Sequence, residues 1–492
     1  MKRWLILAIF LSSAFGAEAQ TPTLVQHVSC ANSSAPSGGG TPQSSAPVYY
    51  CPLPEPTQAG NAIIVGVTSY NGGAPYTVTD DKSNSYGSAV ASVEDSNTAY
   101  NAIFVATNVA AGTRVIMLNG SNSQASNAAV TVSEYYNIAT SSAVDKSACT
   151  ADSSGTTITA GSITPTVSGD LLWQVAFNAS GGQSRPGAVS SFTVGSQSNI
   201  TWQFLGADLF NGSAEQAGVY SSTSAINPTF TSGTSQAFSS CVVALKAASA
   251  GTAPTQAFRI VHMLHQQIGT GSANPFPVLF PSSGNLIVLS LISGGSEISS
   301  ISSNPSNTWT ATGTFVGGTD EVAGSQIYYA ANATPSTSMT ISVNHTSSTN
   351  DTYMMYDIVG AAASPFDTDS GGQTGNQTSE VNSLTTCNGC LTPSGNSGGN
   401  EIVLGNAGWQ FCTAYGVSSP SGALFDAATY TGTSVNGPQS VDQNNGWFHY
   451  YDSSTSAVTV TWNPMACNEA EENWAGRVAA FKALQLSNQP LQ

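Results

Sequence analysis

The chain has 492 residues, 40% hydrophobic and only 8% charged, and its 27 acidic side chains outnumber 10 basic ones to give a net charge of −17. Such a balance repels nucleic acid and anionic membranes, so neither is expected as a partner. With 9% aromatics the chain is apolar enough to fold, and a charged fraction far below the roughly 25% of ordinary globular proteins leaves Ser, Thr, Asn and Gly to supply the polar surface.

In chain order, residues 1–19 open with Lys2 and Arg3, run apolar from Trp4 to Phe15, and close on Ala17, Glu18 and Ala19. This is the three-part form of a secretory signal peptide, so the mature chain is expected to start at Gln20 and to be secreted, to the extracellular space or the periplasm. The run is too short to span a bilayer and no later run of about 20 apolar residues follows, which predicts no membrane anchor.

The segment GNAIIVGVTS, Gly60 to Ser69, returns as GNLIVLSLIS, Gly284 to Ser293. Setting one on the other places Ile63, Val65 and Val67 against Ile287, Leu289 and Leu291, a period-two strand signal with one apolar face. The likeness continues along the chain. Tyr136-Asn137-Ile138 is set against Tyr356-Asp357-Ile358, Asp145 against Asp367, and the strand opening at Gly169 against the one at Gly399. The run SSTSA occurs from Ser221 and again from Ser453, and CVVALKA from Cys241 meets RVAAFKA from Arg477. No helical periodicity of useful length interrupts these strands, and Gly, Asn, Ser and Pro punctuate them. The expected fold is all-β: two tandem homologous β-sandwich, jelly-roll-like domains at 20–246 and 258–484, with a Pro-containing linker at 247–257 and a tail at 485–492.

Half of the eight cysteines fall in each copy, and in an exported chain they predict disulfides rather than metal ligands. Cys30 and Cys51 bracket a loop that is longer after His27 than its counterpart after His262, and are expected to pair. Cys149 with Cys241 follows if no bond crosses between copies. Cys412 with Cys467 and Cys387 with Cys390 is one of three pairings open in the second copy.

Several clusters invite a chemical reading. Gly395-Asn396-Ser397-Gly398-Gly399 has the spacing of a hydrolase elbow, but it stands before a strand without a recognisable base, and a Gly-rich turn is the simpler account. His262 and His265, three apart, would point to opposite faces of a strand and not to one metal. Asp367 and Asp369 lie in a Gly-rich loop and are the candidates for calcium, the one cofactor that the sequence suggests, against a solvated turn. Glu469, Glu471 and Glu472 could pair as acid and base of a glycan-cleaving enzyme. The densest aromatic run is Gly446 to Tyr451, in which Trp447, His449 and Tyr451 would share one strand face, while the first copy has Glu215, Ala217 and Val219 there. With Trp474 at its rim, that face is expected to form a flat ligand-binding platform for sugar rings.

In layout the chain resembles secreted bacterial proteins built from tandem jelly-roll or lectin-like modules. That resemblance implies binding of glycans or extracellular surfaces. The expected function is therefore non-catalytic binding or adhesion through the second copy, probed against two alternatives, a secreted glycan-cleaving enzyme and a structural matrix protein.

Overall fold

The computed structural model describes residues 20–30, 49–69, 76–94, 99–120, 128–178, 189–209, 212–268, 276–293, 297–317, 324–346, 351–377, 383–394, 401–409, 412–414, 417–420, 424–432, 441–452, 454–463, 465–467 and 472–484. It is all-β, and no helix long and apolar enough to cross a membrane occurs among these residues. The leader 1–19, the elbow segment 395–399 and the acids Glu469 and Glu471 lie outside them, and of Glu472 only the backbone is described.

One eleven-stranded sheet runs through both halves of the sequence. From its second-half edge the order is Trp309–Ala311, Gly324–Ala331, Leu286–Ser293, Asp351–Val359 and Arg259–Ile268, followed by the first-half strands Thr23–Cys30, Ala128–Tyr136, Ala62–Ser69, Tyr100–Ala106 and Ala91–Glu94, and the eleventh strand, Val316–Gly317, also pairs with Gly324–Ala331. The halves meet where Thr23–Cys30 pairs in parallel with Arg259–Ile268, His27 opposite His262 and Val28 opposite Met263. The other strand pairs of this sheet are antiparallel. Joining equivalent strands in parallel requires a pseudo-two-fold axis along them, and such an axis turns the sheet over between halves.

The layers above and below follow from that reversal. Over the first half, Ile63, Val65 and Val67 pack on a three-stranded sheet of Tyr49–Pro52, Val115–Gly120 and Tyr76–Asp80. Ala62, Ile64, Ile103 and Tyr135 face the other way, onto Leu171, Trp173, Val175 and Val243 of a six-stranded sheet. In the second half Ile287, Leu289 and Leu291 again face a three-stranded sheet, through Val278, Phe280 and Ile341, but on the opposite side. Strands Ala62–Ser69 and Leu286–Ser293 are consequently buried along both faces, not one. Each buried Val, Leu or Ile contributes about 1.5–3 kcal/mol, so this double cover is a large part of the stability. Gly66 is required by the packing: a Cβ there would stand 2.7 Å from the Trp173 ring and 2.6 Å from the Thr131 methyl.

Two equivalences differ from the sequence alignment. Ile63 stands opposite Glu134 and Ile287 opposite Asp357, so Asp357 corresponds to Glu134, not to Asn137. Asn137 corresponds to Gly360, and both adopt left-handed backbone, φ 65° and 74°. Here the shared chemistry outweighs the shared letters. Glu134 accepts from Gln58 N (2.8 Å) and Asn61 Nδ2 (2.6 Å), and Asp357 accepts from Ser283 N and Gly284 N (both 2.8 Å), so each acid fixes the turn that leads into its repeat strand. Segment 247–257 is held to the first half through Ala248 N on Asn137 O (3.0 Å), Asn137 N on Ala250 O (2.7 Å) and Thr252 N on Asn61 Oδ1 (2.6 Å).

Disulfides join Cys30 to Cys51, Cys149 to Cys241 and Cys387 to Cys390. Cys412 and Cys467 face each other across a two-stranded ladder, and their side chains are outside the described ones.

Candidate functional site

The expected aromatic platform is not a surface. Strand Val441–Asp452 belongs to the second half's six-stranded sheet, which is covered on both sides. Trp447, 1% exposed, packs with Ile402 and Leu404 toward the large sheet, its ring 5.0 Å from that of His265. His449 is buried, donates from Nε2 to Pro54 O (2.7 Å), and is held by burial at a pKa of about 4. Tyr451 gives its hydroxyl to Glu55 and sets its ring edge-on to Phe258. Trp474 is buried with Trp409, Phe448 and Trp462 on the opposite side, against a small sheet of Leu384–Leu391, Val458–Trp462 and Val417–Ser419. Trp447, His449 and Trp474 are core and Tyr451 is partly buried against it, because both faces of their sheet are roofed.

The calcium candidates face separate partners. Asp367 accepts from Lys482 Nζ (3.1 Å) and from Ser394 N (2.7 Å), while Asp369 is bound by the Arg477 guanidinium, at 2.5 Å. Among the described residues no three His, Cys, Asp or Glu side chains converge on a point that a metal could occupy. His262 and His265 do point to opposite faces: His262 Nδ1 meets Asp357 Oδ2 at 2.9 Å, and His265 lies on Trp447.

A chain of hydrogen bonds on the large sheet has the residue types of a hydrolytic triad. His27 bonds Ser133 Oγ through Nδ1 (2.8 Å) and Ser29 Oγ through Nε2 (3.1 Å), and Ser29 donates to Glu215 Oε2 (3.1 Å). All four are buried, and burial together with neighbouring His262 holds His27 well below the usual imidazole pKa. With the six-stranded sheet packed over it, a Cβ on Gly206 would lie 2.7 Å from Ser29 Oγ, so there is no room for a substrate. This network tethers the two layers.

An open site does exist where the halves meet. A groove of about 900 Å³ is bounded by both of them. Its buried lining is apolar, with Leu171, Ala217 and Val261, and includes Tyr135, whose hydroxyl has no hydrogen-bond partner among the described residues. Its exposed lining carries Asn199, Thr201, Ser221 and Ser283. Arg259 is the one charged residue of the lining, which contains no acid although the chain is strongly acidic. Arg259 donates from Nη1 to Gln256 O (3.1 Å), and its Nε is buried without a hydrogen-bond partner among the described residues. Desolvation of the Tyr135 phenol raises its pKa, so it stays a neutral donor. Among its lining residues no acid stands beside a base.

None of these groove residues stands out as a motif. Arg259 carried the available signal, as one of only ten basic residues. No known protein family matches the sequence, and comparison with characterised proteins and with solved structures finds no similar chain.

Proposed function

We propose that this protein is an extracellular, non-catalytic binding protein that holds a carbohydrate in the groove between its two halves. The acid-free groove carries the reading. Its apolar floor suits the C–H faces of sugar rings, its hydroxyl and amide rim suits their hydroxyls, and its volume lies within the range of ligand sites. Three disulfides are compatible with an oxidising compartment. The duplicated sandwich organisation belongs to the same proposal and is supported by the pairs Glu134/Asp357 and Asn137/Gly360.

The test is incubation with a panel of neutral and acidic polysaccharides, scoring retention and new reducing ends together. Retention without new reducing ends is expected. Arg259→Ala should weaken binding about tenfold, the loss of one hydrogen bond from a charged donor. New reducing ends would favour the glycan-cleaving reading, and inertness toward every polymer the structural one.

A further inference from the structure

The groove does not end at the seam. Ser283 and Val359 line both the space of about 900 Å³ and a second one of about 400 Å³, which continues over the second half to Asn285, Asn332 and Pro335. Arg259 stands at the junction, directly opposite Val359 in the antiparallel ladder of Arg259–Ile268 with Asp351–Val359. Residues opposite one another in a ladder share a face, so the Arg259 and Val359 side chains lie on one side of the sheet. Sites that enclose a small ligand measure about 300–1,000 Å³, and the two spaces together exceed that range. Their extent suits several sugar units in a row, from Asn199 and Thr201 at one end to Pro335 at the other.

The charge distribution points the same way. Neither space has an acidic residue in its lining, although the chain carries 27. A guanidinium has five N–H donors; that of Arg259 meets Gln256 O through Nη1, and no carboxylate forms an ion pair with it among the described residues. By contrast Arg477 is matched by Asp369 and Lys482 by Asp367. Glu55 is close enough to feel the charge of Arg259, but it lies outside the lining and its Oε1 accepts from Ile260 N (3.0 Å) and from the Tyr451 hydroxyl. A planar fork left open in an acid-free groove is complementary to a carboxylate, which it can bind through two parallel hydrogen bonds. The net charge of the chain opposes an anion at a distance, yet charges beyond about 8 Å are screened at physiological salt, so contact with Arg259 decides.

We propose that the connected grooves hold an internal stretch of an acidic polysaccharide, a polyuronate, with Arg259 reading one sugar carboxylate where the two spaces meet. This rests on the carbohydrate reading above and narrows it to one class. Leu171, Ala217 and Val261 support the ring faces of the units in the first space. Hydroxyls of the units beyond Arg259 meet exposed Ser283 and Asn332. With no second cation in either lining, one carboxylate is read and its neighbours along the polymer turn to solvent.

Calorimetry on the full chain tests this with polygalacturonate, alginate and hyaluronan, each beside its carboxyl-reduced, neutral form. At least one uronate polymer is expected to bind about tenfold more tightly than its neutral form, the worth of a charge-assisted hydrogen bond. Arg259→Gln should abolish that preference and leave affinity for the neutral form unchanged, and the wild-type comparison does not depend on whether the variant folds. Affinity should also rise from a disaccharide to a hexasaccharide of the same uronate, and Pro335→Trp, which obstructs the second space, should flatten the rise. A neutral form bound as tightly as its uronate, retention of neutral polysaccharides alone, or an affinity that stops rising at the disaccharide would overturn the inference and leave the carbohydrate reading in place. Retention of no polysaccharide would overturn both.

Discussion

Trp447→Ala should destabilise the protein by about 3–5 kcal/mol, the cost of emptying a large aromatic site in a packed interior. The indole is 1% exposed and lies between the six-stranded sheet of the second half and the large sheet, against Ile402, Leu404 and the His265 ring. Relaxation cannot refill that volume, since layers on both sides are fixed by their own ladders. Trp447→Phe should cost less, because most of the apolar contact survives. Denaturant unfolding of both variants measures this. A change below about 0.5 kcal/mol for Trp447→Ala would place the ring at a surface.

Stability should fall as pH is raised from 6.5 to 8. Glu55, Asp170 and Glu401 are buried acids whose pKa values are pushed up to about 7, chiefly by desolvation. Unfolded, they ionise near 4, so between about 4 and 7 the folded state holds protons that the unfolded state has released, and stability declines as pH rises through that window. His265, His345 and His449, held down at about 4 by burial, act in the opposite sense: their contribution is lost as pH falls from about 6.5. The two sets offset one another below 6.5. Above it only the acids change, and the decline emerges. Asp170→Asn removes one of them and should raise stability at pH 8 by on the order of 2 kcal/mol, with little gain at pH 5. Thermal unfolding across this range checks the sign, and a wild type equally stable at 6.5 and 8 would contradict it.

The central strands were legible because a fully buried strand leaves an apolar run, as GNAIIV and GNLIVL do in the two halves. How the sheets stack was not. The alternation in Trp447 to Tyr451 is the same whether the sheet is covered on one side or two. The second cover comes from residues 384–391 and 417–419, which are distant in sequence and short. The Asp357 equivalence slipped for a related reason, since matching letters at Tyr136 and Tyr356 hid the carboxylates that serve the same turn. The groove was illegible because its lining is drawn from both halves and depends on the parallel seam, a pairing that no local pattern specifies. Asp145 and Asp367 could be matched from sequence, yet Lys482 reaches Asp367 only through strand order.

Binding at the seam is tested most directly by obstructing it. Thr201 is exposed on the groove wall, so Thr201→Trp should fill the space while leaving the fold intact. Affinity of wild type and variant for whichever polysaccharide the wild type retains is measured by calorimetry, with circular dichroism as the control for folding. The account predicts a folded variant whose affinity is reduced tenfold or more, equivalent to about 1.4 kcal/mol. A folded variant that binds as tightly as wild type would show that the groove is not the site.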